Sequence, residues 1–229
     1  MSIENKTKEK QYQMLIDLAE TTGIASFGLM ANESWNNDPR RTLFTLSRYK
    51  FVSKMLEGRK NILEVGCADA FGTRVVQQTV EKVTVSDFDP FFIEHVNSNQ
   101  SDKWPLEAIV HNMISDGAVK PEHFDAVFGL DVLEHINKND EQVFISNCCA
   151  SLDKNGVLIF GMPSLESQRH ASPQSKIGHV NCKSGTDFRL TMEQYFHNVF
   201  IFSMNDEVVH TGYQPMAHYL FALCTSKKY

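Results

Sequence analysis

The sequence predicts an α/β protein: a mostly parallel sheet with helices on both faces, built as one domain. Three observations carry this. Short apolar runs alternate with helix-compatible stretches between residues 61 and 161, as in parallel βαβ units. Asn61-Ile-Leu-Glu-Val-Gly-Cys-Ala-Asp-Ala-Phe-Gly72 reads as a strand that turns tightly into a helix. The chain has 229 residues, 42% hydrophobic and 22% charged. That is enough for one full core and ordinary for a globular domain.

The elements follow in order. Tyr12, Leu15, Ile16 and Leu18 give a helical pattern near the N-terminus, followed by a looser Gly/Asn/Asp stretch through Asp38-Pro39. Leu43, Leu46, Phe51, Val52, Met55 and Leu56 recur at helical spacing and predict a helix over 41–57. A strand over 61–65 precedes a helix near 72–80. A strand over 82–86 precedes a helix opened by Pro90. A short strand lies near 107–110. The strand at 124–129 precedes a helix near 139–152, and the strand at 156–161 ends before Pro163. Residues 198–204 and 217–224 read as two more strands, paired antiparallel at the far side of the sheet. Asn205-Asp206-Glu207 reads as a turn. Residues 163–190 are polar, rich in Ser, His and Gln, and read as one long loop. Such a loop in a compact domain is functional or mobile. These segments divide the domain into an N-terminal helical cap (1–57), a cofactor-binding core (58–162) and a substrate-side block (163–229).

Composition narrows the partners. A net charge of −6 argues against binding a phosphate backbone. No apolar run approaches the length of a bilayer span, and the N-terminus lacks the apolar centre of a signal peptide. The five cysteines are odd in number and show no C-x-x-C spacing, which fits free thiols in a reducing cytoplasm. A small-molecule acceptor is therefore expected, with neither nucleic acid nor membrane as partner.

The turn after residue 65 carries the chemistry. Gly66, Ala68 and Ala70 are small, so backbone N–H groups and the helix N-terminus can approach a ligand closely. Asp87 closes the second strand, where an acid can accept hydrogen bonds from a ribose. A nucleoside-bearing cofactor follows. A dinucleotide fingerprint wants glycines at the first, third and sixth positions. Here these are Gly66, Ala68 and Phe71, and Phe71 would crowd the helix–strand contact. NAD fits poorly.

Glu64-x-Gly66-x-Ala68-x-Ala70 resembles motif I of the class I S-adenosylmethionine (SAM)-dependent methyltransferases, with alanine at two usual glycine positions. Asp87 matches their ribose acid, and Asn112-Met113 stands where residues flank the adenine. Phe124-Asp-Ala-Val-Phe-Gly-Leu-Asp-Val-Leu-Glu-His135 resembles their fourth-strand motif, and Gly156-Val-Leu-Ile-Phe their fifth strand. The resemblance covers residues 58–162. It implies a Rossmann-like seven-stranded sheet of order 3-2-1-4-5-7-6 with strand 7 antiparallel. It also implies a cofactor site of Glu64, Gly66, Cys67, Ala68, Asp87, Phe88, Asn112, Met113, Leu130 and Asp131. Glu64 and Gly66 would lie near the methionine end, with Phe88 on the adenine and Leu130 or Asp131 beneath the sulfonium. The N-terminal segment lids the pocket in this superfamily, so Arg48 or Tyr49 is expected to hold the methionine carboxylate. A solvated arginine on a helix face is the competing reading of Arg48.

The acceptor side rests on a second constellation. Asp131-Val-Leu-Glu134-His135 places two acids and a histidine at i, i+3 and i+4, on one side if the segment is helical. His179 follows in the polar stretch. This resembles the metal site of small-RNA 3′-terminal 2′-O-methyltransferases, and a similar arrangement in ubiquinone-biosynthesis O-methyltransferases. It implies a divalent ion at Asp131, Glu134, His135 and His179 that grips substrate hydroxyls. His179, with His135, as a metal-free general base is the competing account, and a structural role the third. The Asp/Asn-Pro-Pro-aromatic motif of amino-methylating DNA enzymes is absent after the fourth strand. The expected activity is O-methylation of a small hydrophilic acceptor. The whole chain looks like uncharacterised bacterial methyltransferases of surface-polysaccharide or sugar-nucleotide modification. N-methylation of a small amine or amino sugar, a non-catalytic SAM-binding protein and a nicotinamide oxidoreductase are the rivals.

Overall fold

The computed structural model describes residues 6–229. One sheet organises them, in the order β3-β2-β1-β4-β5-β8-β6-β7. The parallel part comprises β1 (Asn61–Val65), β2 (Lys82–Asp87), β3 (Glu107–Val110), β4 (Phe124–Leu130) and β5 (Leu152–Pro163). β6 (Phe196–Asn205) and β8 (Tyr219–Lys227) complete the expected seven-strand order, with β8 antiparallel between β5 and β6. The addition is β7 (Val208–His210), an edge strand that pairs antiparallel with β6 across the Asn205-Asp206-Glu207 turn. Three residues, half to mostly exposed, leave too little apolar alternation to announce it.

The strands are apolar because both faces are covered, and side chains alternate between two cores. On one face lie Ile62, Val83, Val85, Phe128 and Phe221, under α3 (Arg40–Met55), α4 (Thr73–Gln77) and α5 (Pro90–Ser98). On the other lie Leu63, Val65, Val127, Leu158 and Phe160, under α6 (Glu141–Ser151) and α8 (Gly185–Met192). α5 starts as its sequence dictates: Pro90 opens it, and Asp89 caps it by accepting from Phe91 N–H.

Two stretches differ from the sequence expectation. The looser stretch before Pro39 holds α2 (Leu29–Asn37), which follows α1 (Gln13–Thr22); neither contributes a buried residue. The expected loop at 163–190 holds a 3-10 turn (Glu166–His170), α7 (Pro173–Gly178) and most of α8. The first two are short and bury no residue, so no periodicity marks them. Among the described residues, no helix is long and apolar enough to cross a membrane. All five cysteines are free thiols.

Candidate functional site

β1 leads to β2 on one side and β4 to β5 on the other, so a crevice opens where the carboxyl ends of β1 and β4 diverge. Gly66 sits there at φ +72, and a Cβ would lie 2.4 Å from Val132 Cγ2. Only glycine meets both constraints. Ala68 (φ 45) and Ala70 (φ 51) are also left-handed. An L-residue in that region carries about 1–2 kcal/mol of strain. The turn therefore keeps a glycine-type backbone although two of its residues are alanines.

Two carboxylates hold this turn. Asp87 is 6% exposed; its Oδ2 accepts from Ala68 N–H (3.0 Å) and its Oδ1 from Asp89 N–H (3.0 Å). Each oxygen keeps a lone pair for a diol. Glu64 lies deeper, 1% exposed. Its Oε1 accepts from the Tyr49 hydroxyl (2.7 Å) and its Oε2 from Thr73 Oγ1 (2.6 Å). Burial pushes its carboxyl up to about 7, outweighing the two hydroxyl donors that pull it down. Tyr49, expected as an alternative holder of the methionine carboxylate, is instead buried against Glu64. The sequence reading missed Thr73, whose place in the first turn of α4 was its signal.

The remaining cofactor candidates are distributed as follows. Phe88 is 71% exposed beside Asp87. Asn112 is half-buried, and its Oδ1 accepts from Ile114 N–H. Met113 lies in the core and its carbonyl accepts from Asn147. Cys67 is buried, with its thiol pushed upward by burial. Leu130 is buried at the end of β4. Asp131 follows at φ 57, and its Oδ2 accepts from Arg48 Nη1 (2.6 Å). The Arg48 guanidinium also lies 3.9 Å from the Tyr219 ring centroid. Arg48 is thus neither solvated nor unpaired.

Of the four expected metal ligands, three converge. Glu134, His135 and His179 each offer a ligand atom, and these atoms lie within 4.8 Å of one another. The i, i+3, i+4 argument needed a helix starting at Asp131. The segment is a 3-10 turn over Leu133–His135, and Asp131 lies before it, left-handed and held by Arg48. His179 arrives through the backbone: Val180 and Asn181 N–H both donate to the Glu134 carbonyl.

The imidazoles are oriented. His135 Nδ1 donates to the Gly178 carbonyl (2.9 Å), which can only accept. His179 Nδ1 donates to Gln168 Oε1 (2.8 Å), whose amide is fixed because its Nε2 donates to the Ser164 carbonyl. Both rings keep the Nε2 lone pair free. Burial, then His135, lowers the His179 pKa, so the ring is neutral at pH 7. Glu134 is 0% exposed and neither carboxylate oxygen has a hydrogen-bond partner. Burial, then Asp131, drives its pKa well up. The sequence did not single out Gln168.

The comparisons with known proteins agree with this architecture. Residues 63–160 match the family model described as methyltransferase domain. This stretch is a methyltransferase domain. Its match runs from β1 to β5, the segment that carries Gly66, Asp87 and the Glu134–His135 turn. No curated protein matches the sequence. Solved structures do. A SAM-dependent methyltransferase from Thermotoga maritima, described as a possible histamine N-methyltransferase, is 15% identical with a TM-score of 0.68, covering 86% of this chain and 95% of that one. The methyltransferase domain of bacterial CtHen1-C is 14% identical with a TM-score of 0.66, covering 80% and 98%. The N-methyltransferase NodS from Bradyrhizobium japonicum WM9, bound to S-adenosylhomocysteine, is 18% identical with a TM-score of 0.58, covering 84% and 90%.

Proposed function

We propose that this methyltransferase acts on a hydroxyl of a small hydrophilic acceptor, such as a sugar or sugar nucleotide. One observation supports this above the others. A buried carboxyl without hydrogen-bond partners, Glu134, stands beside two imidazoles whose Nε2 atoms make no hydrogen bond, past the end of β4. A hydroxyl needs help losing its proton, and this cluster can give it.

The cofactor half follows from the turn. Asp87 accepts from the ribose hydroxyls, Phe88 packs on the adenine with Asn112 and Met113 at its edge, and the Gly66–Ala68 backbone admits the methionine end. Glu64 shapes that turn through Tyr49 and Thr73.

In the acceptor half, a divalent cation fits the donor set. Neither Glu134 carboxylate oxygen has a hydrogen-bond partner, with His135 Nε2 4.0 Å from its Oε1, and the Nδ1 bonds to Gly178 and Gln168 orient the two rings as outer-shell partners of a ligating histidine do. Such an ion supplies Lewis acidity that lowers the pKa of a bound hydroxyl. Without it, neutral His179 takes the hydroxyl proton at Nε2 while Gln168 holds the ring. Asp131 stays with Arg48 in both accounts.

Purified protein incubated with SAM and a panel of sugars, sugar nucleotides, small alcohols and small amines tests the reading through S-adenosylhomocysteine release. Turnover with a hydroxyl acceptor, lost in His179→Ala with cofactor affinity retained, is the expected result. Turnover confined to amines overturns O-methylation and favours N-methylation, the activity named for NodS. Cofactor binding with no acceptor turned over points to a non-catalytic SAM-binding protein. Chelator treatment then separates the two proton-removal accounts: lost activity, restored by a divalent ion, assigns the metal; full activity assigns His179 as base.

A further inference from the structure

The residue between the two left-handed alanines has a role that the cofactor reading does not use. Asp69 Oδ1 accepts from Phe71 N–H (3.1 Å) within the turn, and Oδ2 reaches out of it to Ala31 N–H (3.0 Å), in the first turn of α2. The N-cap of α2 is Gly28, which has no side chain to cap its own helix. A Cβ on Gly28 would lie 2.3 Å from Asp69 Cγ and Oδ2. Gly28 thus vacates the capping position and Asp69 fills it from another part of the chain. A carboxylate at a helix N-terminus satisfies an otherwise unpaired N–H and meets the positive end of the helix dipole. Next to this contact, Phe27 meets Phe71 (ring centroids 5.2 Å) and stacks on Trp35 (5.4 Å).

The contact has a neighbour on the cofactor side. Ala68 N–H donates to Asp87, the ribose acid of the reading above, and the next residue fastens α2. α1 and α2 bury no residue, so few contacts hold them, and such segments open at low cost. We propose that Asp69 is a positioning residue that couples the cofactor turn to the N-terminal arm, so that cofactor binding and docking of α2 strengthen one another. The coupling rests on the cofactor reading and runs through two hydrogen bonds, Asp87 to Ala68 and Asp69 to Ala31, joined by the Ala68–Asp69 peptide bond. Linkage makes it reciprocal: what fixes the turn fixes the arm, and loss of the arm contact weakens the cofactor.

Hydrogen exchange of the full-length protein, with and without S-adenosylhomocysteine, tests this beside calorimetry of the same ligand. In the wild type, the ligand slows exchange across Ala31–Trp35. Asp69→Ala abolishes that slowing and weakens ligand binding by about fivefold, at the lower end of typical coupling. Asp69→Asn keeps one accepting oxygen, which can serve Ala31 N–H but not Phe71 N–H as well, and so retains part of both effects. Gly28→Ala, which pushes the carboxylate away, reproduces Asp69→Ala from the other side of the contact with the turn sequence intact. Ligand binding by the wild type with unchanged exchange in α2 overturns the coupling alone. So does an Asp69→Ala variant that keeps the slowing. Absence of ligand binding to the wild type overturns the cofactor reading and the coupling with it.

Discussion

Arg48 on α3 and Asp131 at the end of β4 form a 2.6 Å ion pair, 16% and 37% exposed at their side chains, beneath which lies the Tyr219 ring. This pair ties α3 to the carboxyl edge of the sheet, just before the Glu134–His135 turn. Asp131 is left-handed, an unfavourable conformation that a strong partner offsets.

Arg48→Met should lower stability by about 2 kcal/mol, less than the loss typical of a fully buried pair because Asp131 retains some solvent. Chemical denaturation measures it. In a double-mutant cycle, Asp131→Asn should cost less in the Arg48→Met background than in the wild type. Additive effects would show that the pair contributes nothing.

Glu64 makes stability depend on pH. Its carboxyl holds its proton up to about 7 in the folded protein, against an ordinary value of 4.5. Between those values the folded state binds the proton more tightly than the unfolded state does. Stability from this group therefore falls as pH rises from 4.5 to 7, by about 3 kcal/mol. Glu64→Gln removes that dependence, and the Tyr49 and Thr73 hydroxyls can rotate to meet an amide. Urea unfolding at pH 5 and pH 8 should show the variant gaining on the wild type at the higher pH. An equal difference at both values contradicts the assignment.

Backbone conformation in the turn predicts opposite outcomes for two substitutions. Ala68→Gly relieves a left-handed alanine, at the cost of extra freedom in the unfolded chain, for a net gain of about 0.5 kcal/mol. Gly66→Ala drives a Cβ toward Val132 and strains φ +72, and should cost about 2 kcal/mol or more. Thermal unfolding orders them: Ala68→Gly above the wild type, Gly66→Ala below. The reverse order would mean that the turn relaxes freely.

Asp87→Ala should weaken S-adenosylhomocysteine binding by about tenfold or more, since it removes the proposed diol acceptor and frees Ala68 N–H. Calorimetry reads this directly, and unchanged affinity would remove Asp87 from the ribose.

Much of this was legible in the chain. The run Val157–Phe160 is buried on both faces, so its apolar character is continuous, and Ile62–Val65 is apolar but for the buried acid Glu64; both read as central strands. The helices at 163–190 were less legible, although α8 had a signal. Ser184 caps it by accepting from Asp187 N–H, and Phe188 and Met192 stand one turn apart, both buried. α7 buries nothing, and hydrophobic spacing could not reveal it.

Local chemistry along the chain determined the alternation of strands and helices, the tight turn at Gly66 and the acid at Asp87, because each depends on residues close in sequence and on a regular period; the strand order followed from the family resemblance and is fixed by pairing between distant segments. Only the folded structure decided how distant side chains spend their hydrogen bonds. It gave Tyr49 to Glu64, Arg48 to Asp131 and Asp69 to the start of α2, and it left the Glu134 carboxyl without a hydrogen bond. Those assignments depend on which elements meet across the sheet edge, and no sequence spacing encodes that meeting.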